Sequence, residues 1–150
     1  MIVFEEEFIK TRGQPIQYKG KAVVMADDFP LPAEKTRLKY RILSTNSEWK
    51  QGIFLKTQGV LVFNGGEKVS NKWAAIWEHI SPREDEFTCY SKSGLLEVKN
   101  VWDTGNGVVE SWHNGAAMWM EQLPNGRRYH CNDGHPDDDF DDLIFKLLIV

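Results

Sequence analysis

The sequence has no long apolar run, no closely spaced cysteine pair and no basic segment. No apolar stretch approaches the ~20 residues that cross a bilayer, which excludes a transmembrane helix and a membrane partner. Cys89 and Cys131 are the only cysteines, too few for a disulfide framework and without the CxxC spacing of redox or zinc sites, and whether they pair stays open. An isoelectric point near 5.6 without basic runs excludes nucleic-acid binding.

The N-terminal segment MIVFEEEFIK lacks the features of a signal peptide. Three glutamates stand where a signal peptide has basic residues, and no long apolar stretch follows them. We therefore expect a protein that is cytoplasmic or exported without a recognisable signal peptide. The three glutamates suit an exposed strand edge, where charge discourages strand-to-strand aggregation.

The acidic charge is concentrated in one segment. The net charge is −4, but residues 132–142 contain six Asp and no Lys or Arg. Removing that −6 from −4 leaves +2 for the rest of the chain. A near-neutral chain with one concentrated anionic segment suggests that the segment binds a cation.

Composition and turn signals predict one all-β domain over residues 1–150. The chain is 41% hydrophobic and 12% aromatic, enough for a packed core of one domain. Asn-Gly pairs are the strongest short signal for hairpin turns, because both residues tolerate positive φ. Four such pairs begin at Asn64, Asn106, Asn114 and Asn125. They predict a β-meander in the second half and an antiparallel β-sandwich of jelly-roll or lectin-like type.

Hydrophobic patterning locates several strands. Alternation of apolar and polar residues, the mark of a half-buried strand, covers 37–43. A further candidate strand lies at 116–121. Segments 53–63, broken at Gly59, and 95–102 behave in the same way. The last eight residues, LIFKLLIV, predict a central strand covered on both faces.

One short helix is expected near residues 71–80. Trp73, Ile76, Trp77 and Ile80 follow the i, i+3, i+4, i+7 spacing of one helix face. Alternation of Trp73, Ala75 and Trp77 fits a strand equally well, so both structures stay open.

The acidic segment has the composition of a calcium-binding loop. Calcium takes six to eight oxygen ligands, which a looping backbone rich in Asp and Asn can supply from a few consecutive residues. Gly134 and Pro136 disfavour an extended conformation, so the carboxylates can converge. Clustered carboxylates beside a buried strand repel one another, at a cost of ~1 kcal/mol per close pair, and a divalent cation removes that cost.

The segment also resembles a known loop. Asp133-Gly134 followed by Asp137-x-Asp139-Phe140-Asp141-Asp142 is similar to the D-G-x-D-x-D-Y/F-N-D calcium loop of bacterial sandwich proteins. Such loops occur in small calcium-dependent fucose- and mannose-binding lectins and in calcium modules of secreted adhesins. The resemblance implies Ca²⁺ as cofactor, with Asp137, Asp139, Asp141 and Asp142 as ligands and Asp133 as a further ligand. The chain departs from the pattern by one additional residue before Asp137 and by Asp141 in place of Asn.

Aromatic residues beside polar ones predict a carbohydrate site. Six Trp in 150 residues is a high content, and aromatic faces stack on sugar rings while nearby polar groups bind the hydroxyls. Trp49, Trp102 and Trp112 stand beside the polar residues Lys50, Asp103 and His113. We assign Trp102, Asp103, Trp112 and Asn132 as ligand-binding residues. The sequence marks no catalytic residues.

The sequence is compatible with three functions. The favoured one is a calcium-binding sandwich that recognises carbohydrate, and a homo-oligomer is compatible with it. The second is a small cyclase- or lyase-like enzyme with a Trp-lined pocket and an acidic proton donor whose pKa burial has raised. The third is a non-enzymatic interaction or immunity-type protein that uses the acidic loop. The sequence favours a binding protein over an enzyme.

Overall fold

The computed structural model describes residues 3–150 and contains one short helix and eleven strands. The helix α1 spans Phe4–Lys10. The strands are β1 Ile16–Tyr18, β2 Lys21–Val23, β3 Asp27–Pro30, β4 Lys35–Thr45, β5 Lys50–Phe63, β6 Lys68–Ser70, β7 Trp73–Trp77, β8 Glu84–Asp103, β9 Ala117–Leu123, β10 Gly126–Asn132 and β11 Leu143–Ile149. Within residues 3–150 no helix is long and apolar enough to cross a membrane.

An antiparallel sheet of nine strands forms the sandwich. Its main order is β6-β5-β8-β4-β11-β10-β9, while β3 pairs with β8 and β7 pairs with β5. The long strand β8 contributes to both layers. Its first part pairs with β4 and its second part pairs with β3. The all-β antiparallel sandwich predicted from the sequence is therefore confirmed.

One hydrophobic core lies between the layers. Leu38 and Phe145 of β4 and β11 share a cluster with Ile53, Leu55 and Val98 of β5 and β8, and all five are fully buried. Gly59 allows β5 to bend over this core, because a Cβ there would lie 1.8 Å from the Tyr90 carbonyl oxygen. The pairing of β5 with β8 shifts register at this point, which matches the break predicted at Gly59.

A smaller cluster covers one end of the sheet. Phe4 and Phe8 of α1 are buried against Val23, Ala117 and Phe140. The helix and the β1–β2 hairpin therefore pack onto β9 and onto the loop between β10 and β11. That second core fixes the outer side of the acidic segment.

A buried ion pair joins β3 to β10. Arg127 Nη1 lies 2.6 Å from Asp27 Oδ2, and the Tyr129 hydroxyl donates to the same oxygen over 2.7 Å. The Asp27 side chain is 10% exposed and that of Arg127 is 17% exposed. Since Phe29 of β3 also packs under the Arg127 guanidinium, at 5.6 Å from its ring, the pair ties the edges of the two layers together.

Two expectations are corrected by the structure. The helix near 71–80 is strand β7 followed by a turn, because Trp73–Trp77 pairs residue by residue with β5. The Trp77 ring lies over Gly52, whose added Cβ would approach it to 2.9 Å. Residues Glu5–Glu7 belong to α1 and not to a strand edge, since Phe4 and Phe8 bury one helix face.

The terminal strand is central but is not covered on both faces. It lies between β10 and β4, and Leu143, Phe145 and Leu147 are buried. Ile144, Lys146 and Leu148 on the other face are only half-buried. The prediction that β11 is covered on both faces is therefore wrong for its outer face.

Candidate functional site

The acidic segment connects the two adjacent strands β10 and β11 and is held closed by Asn132. The Asn132 side chain accepts a hydrogen bond from the Phe140 amide (2.6 Å) and donates one to the Asp137 carbonyl (2.9 Å). Asn100 donates to the Asn132 carbonyl over 2.8 Å. Asn132 is fully buried, so it shapes the loop and does not offer its amide to a ligand.

The buried end of the loop gathers three carboxylates, those of Asp133, Asp137 and Asp142. Asp133 and Asp142 are 0% and 4% exposed, and the Asp133 amide donates to Asp142 Oδ2 over 2.9 Å. Asp137 lies close enough for its charge to act on the other two. The segment thus places three carboxyl groups near one another at one end of the sandwich.

Asp133 is the most strongly held of the three. Its Oδ2 accepts hydrogen bonds from Ser47 Oγ (2.5 Å) and Gln51 Nε2 (3.0 Å), and its Oδ1 accepts one from the His135 amide (3.0 Å). Ser47 precedes β5 and Gln51 lies within it. These donors compensate for the burial of the Asp133 carboxylate.

The other two carboxylates are incompletely compensated. Burial, followed by the charges of Asp133 and Asp137, raises the pKa of Asp142 to about 8. Burial, followed by the charges of Asp139 and Asp133, raises the pKa of Asp137. Within residues 3–150, two buried oxygens of this region have no hydrogen-bond donor, Asp137 Oδ1 and Gln51 Oε1. Gln51 is fully buried and its amide nitrogen is bound to Asp133.

The remaining acidic residues lie outside this group. The Asp138 carboxylate accepts hydrogen bonds from Lys19 Nζ (2.5 Å) and Tyr18 Oη (2.9 Å), which lower its pKa. Asp141 Oδ2 accepts one from Asn46 Nδ2 (2.9 Å), and Asp139 is exposed. Of the five predicted ligands, Asp133, Asp137 and Asp142 lie at the buried end of the loop. Asp139 acts on Asp137 by its charge but is itself exposed, and Asp141 is bound to Asn46.

An open pocket lies beside the carboxylates. Its volume is about 440 Å³, and its lining includes Asn46, Ser47, Glu48, His135, Asp137 and Asp142. The Trp49 ring stacks on the His135 imidazole at 3.9 Å between centroids and 13° between planes. His135 Nε2 also lies 3.4 Å from Glu48 Oε1. The pocket combines carboxylates, an amide, a hydroxyl and a neighbouring aromatic pair.

The predicted ligand-binding residues Trp102, Asp103 and Trp112 have other positions. Trp102 is 2% exposed and lies under the loop, where an added Cβ at Gly134 would be 3.1 Å from its ring. Asp103 Oδ1 accepts the amides of Gly105 and Gly107 in a turn. Trp112 is half-buried in the connection between β8 and β9, at φ +50°.

Trp102 is therefore a buried support for the loop and has no free face for a sugar. Trp49, which the sequence places beside a polar residue but which was not assigned to the ligand site, holds the aromatic position beside the pocket instead. Its contact with His135 joins residues that are far apart in the chain. No local sequence pattern predicts such a contact. The same is true of Ser47 and Gln51, which reach Asp133 from the β4–β5 connection and from β5.

Comparisons with protein-family models, curated proteins and solved structures find no match. Within the described residues 3–150, no three His, Cys, Asp or Glu side chains are grouped closely enough to hold one metal ion. The resemblance of the loop to calcium-binding modules thus stays a prediction, and the geometry of the site carries the functional argument.

Proposed function

We propose that the chain binds a calcium ion at the end of the sandwich and recognises carbohydrate in the adjoining pocket. The ion would be held by Asp133, Asp137 and Asp142. The observation that carries this proposal is a loop end where three carboxyl groups act on one another and two buried oxygens, Asp137 Oδ1 and Gln51 Oε1, have no hydrogen-bond donor within residues 3–150.

The donor chemistry fits calcium. Asp137 Oδ1 and Gln51 Oε1 are hard oxygen atoms without a hydrogen-bond donor in the described chain, and calcium accepts carboxylate and amide oxygens. A bound cation would satisfy these oxygens and favour the ionised form of Asp142. Oxygen donors dominate the group, which favours calcium over zinc or other transition metals.

Calcium binding would also tighten the loop. Since the carboxylates are not grouped closely enough in the structure to share one ion, Asp137 and Asp142 would have to approach Asp133. Asp133 is fixed by its donors from β5, whereas Asp137 lies in a half-buried, irregular part of the loop. The moving part is therefore the segment between Gly134 and Asp142.

The carbohydrate part of the proposal is supported by the pocket. An aromatic pair beside several polar groups is the general design of a site that stacks on a ring and binds its hydroxyls. His135 lines the pocket and Trp49 stacks on it from beside the pocket, so the pair would supply the aromatic surface, while Asn46 and Glu48 supply polar atoms at the pocket wall. Asp142 would link the sugar pocket to the cation site, since it belongs to both.

A second candidate function rests on the same residue. A carboxyl with a pKa of about 8 that lines a pocket is protonated at neutral pH and can serve as a general acid. This observation favours the lyase-like alternative. Calcium discriminates the two functions, because an Asp142 that binds calcium is ionised and cannot donate a proton.

The acidic segment is less suited to the third function, docking onto a basic partner. Of its six Asp, only Asp139 is exposed. Asp138 and Asp141 are occupied by Lys19 and Asn46. Little negative surface remains to meet a partner protein.

Glycan-array binding in calcium and in EDTA tests the carbohydrate proposal. We expect the wild-type protein to bind glycans in calcium and to lose them in EDTA. Trp49→Ala should weaken binding by about tenfold, the loss typical of one aromatic contact. Trp73→Ala is the matched control, because Trp73 is 48% exposed on β7, away from the pocket. An array without any calcium-dependent signal would contradict carbohydrate recognition.

A further inference from the structure

A row of basic residues crosses the outer face of the large sheet, well removed from the buried carboxylates. In the strand register, Arg41 of β4 lies opposite Lys146 of β11, and Lys146 lies opposite Arg128 of β10. These residues alternate with the buried Tyr40, Leu147 and Tyr129, so all three cationic side chains are on the outer face.

Acidic residues lie only at the two ends of this basic row. Glu84 of β8 is opposite Arg41, and Glu121 of β9 is opposite Arg128. The ion pairs are long, 3.9 Å for Arg41 and 3.5 Å for Arg128. Lys146, at the centre, has no ion-pair partner within the described part of the chain.

Three like charges at directly opposed positions destabilise a sheet. Neighbouring strands are about 4.8 Å apart, so the row spans about 10 Å from Arg41 to Arg128. Sequences normally alternate charge signs at such positions, as Glu84 and Arg41 do here. The central repulsion has no compensation among residues 3–150, and a bound anion would remove it.

Arg128 supplies a second, independent observation. Its Nε is buried and has no hydrogen-bond acceptor among residues 3–150. The guanidinium group is planar and donates in parallel pairs, a geometry that matches the oxygens of phosphate and sulfate. The Arg128 side chain as a whole is 31% exposed, so a change of its rotamer would bring Nε to the surface beside Lys146, where an acceptor from outside the described chain can bind it.

We propose that the basic row Arg41–Lys146–Arg128 binds a tetrahedral oxyanion, the phosphate or sulfate group of a small ligand. Arg128 donates to it through Nε, Lys146 supplies the central charge and Arg41 closes the other side. Charge-assisted hydrogen bonds of this kind are the strongest polar contacts that a surface offers. The site is independent of calcium and uses none of the residues around Asp142.

Nuclear magnetic resonance titration with inorganic phosphate tests this site. The protein is kept in EDTA, and sodium chloride holds the ionic strength constant, so that general screening does not change. We expect the Arg128 Nε–Hε cross-peak to shift and to saturate. Lys146→Met should weaken phosphate binding by about tenfold, the effect of one charge-assisted contact. Lys92→Met, an exposed lysine on β8 outside the row, should leave it unchanged.

The melting temperature in chloride serves as the folding control. Lys146→Met should not lower it, because the substitution removes like-charge repulsion. A shift that never saturates, or an equal response in Lys146→Met, would overturn the site. Glucose 6-phosphate distinguishes the source of the anion: tighter binding than inorganic phosphate indicates a phosphate ester, and equal binding indicates the free ion.

Discussion

The calcium-free protein should lose stability as the pH rises from about 4 to about 8, and Asp142→Asn should remove most of that loss. Folding raises the pKa of Asp142 from 3.8 to about 8. Between these values the unfolded chain releases its proton while the folded protein keeps it, so a rise in pH favours unfolding. The raised pKa of Asp137 acts in the same direction. The expected loss is about 3 to 5 kcal/mol.

Calcium should oppose this loss, because it binds the ionised carboxylates and gains affinity as they deprotonate. At a free calcium concentration of about 100 times Kd, the protein gains about 2.7 kcal/mol, or roughly 5–10 °C in Tm for a chain of this size. Urea unfolding across this pH range, in EDTA and in calcium, measures both effects. A wild-type protein whose stability is flat or rises between pH 5 and 8 in EDTA would contradict a crowded carboxylate site.

Asp27→Ala should produce the other large effect, a loss of about 3 to 5 kcal/mol in the free energy of unfolding. The substitution leaves the buried Arg127 charge without its partner, and breaking such a pair is costly. It also removes the acceptor of the Tyr129 hydroxyl, which is fully buried. Chemical denaturation at pH 7 provides the measurement.

Two variants separate this effect from a general change in β3. Asp28→Ala alters the neighbouring exposed carboxylate and should change stability by less than about 0.5 kcal/mol. Adding Arg127→Met to Asp27→Ala should recover part of the loss, because the unpaired charge is then gone. Equal effects of Asp27→Ala and Asp28→Ala would show that the ion pair does not hold the layers together.

Much of the fold follows from local sequence rules. Alternation predicts β4 over most of its length, and the break at Gly59 predicts the bend of β5. The Asn64 and Asn125 pairs mark real hairpin connections, β5 to β6 and β9 to β10. These successes arise because strand periodicity and turn chemistry depend on neighbouring residues alone.

The failures concern segments whose conformation is decided by distant contacts. The spacing of Trp73 and Trp77 fits a helix and a strand, and pairing with β5 over Gly52 selects the strand. Helix α1 forms because Phe4 and Phe8 find a second core built from β2, β9 and Phe140. No local sequence pattern predicts this second core, because its residues are distant from one another in the chain.

The candidate site was likewise predictable in part. The acidic composition located the loop, and the resemblance of its pattern to known calcium loops gave the five predicted ligands, which include Asp133, Asp137 and Asp142. The pattern left out Asp138, whose charge is paired with Lys19 more than one hundred residues away in the chain. It could not separate Asp139 and Asp141 from the other three, because the exposure of Asp139 and the contact of Asp141 with Asn46 are set by the folded loop. It also could not find Ser47 or Gln51 as donors to Asp133, because they reach the loop from the connection before β5 and from β5 itself.

The net charge gains a clearer physical basis from the structure. Part of the −6 of residues 132–142 is compensated inside the protein, at Asp138 by Lys19. The uncompensated part is concentrated at Asp137 and Asp142, where burial and mutual repulsion raise both pKa values. The cation is therefore expected at the buried end of the loop and not along its exposed side.

Isothermal titration of calcium into the EDTA-stripped protein at pH 7 tests the central claim most directly. We expect saturable binding accompanied by proton release, visible as a dependence of the heat on the buffer's ionisation enthalpy. Asp142→Asn should abolish both, while Asp139→Asn, which changes an exposed carboxylate of the same loop, should retain them. Absence of saturable calcium binding in the wild-type protein, or full binding by Asp142→Asn, would contradict the calcium site.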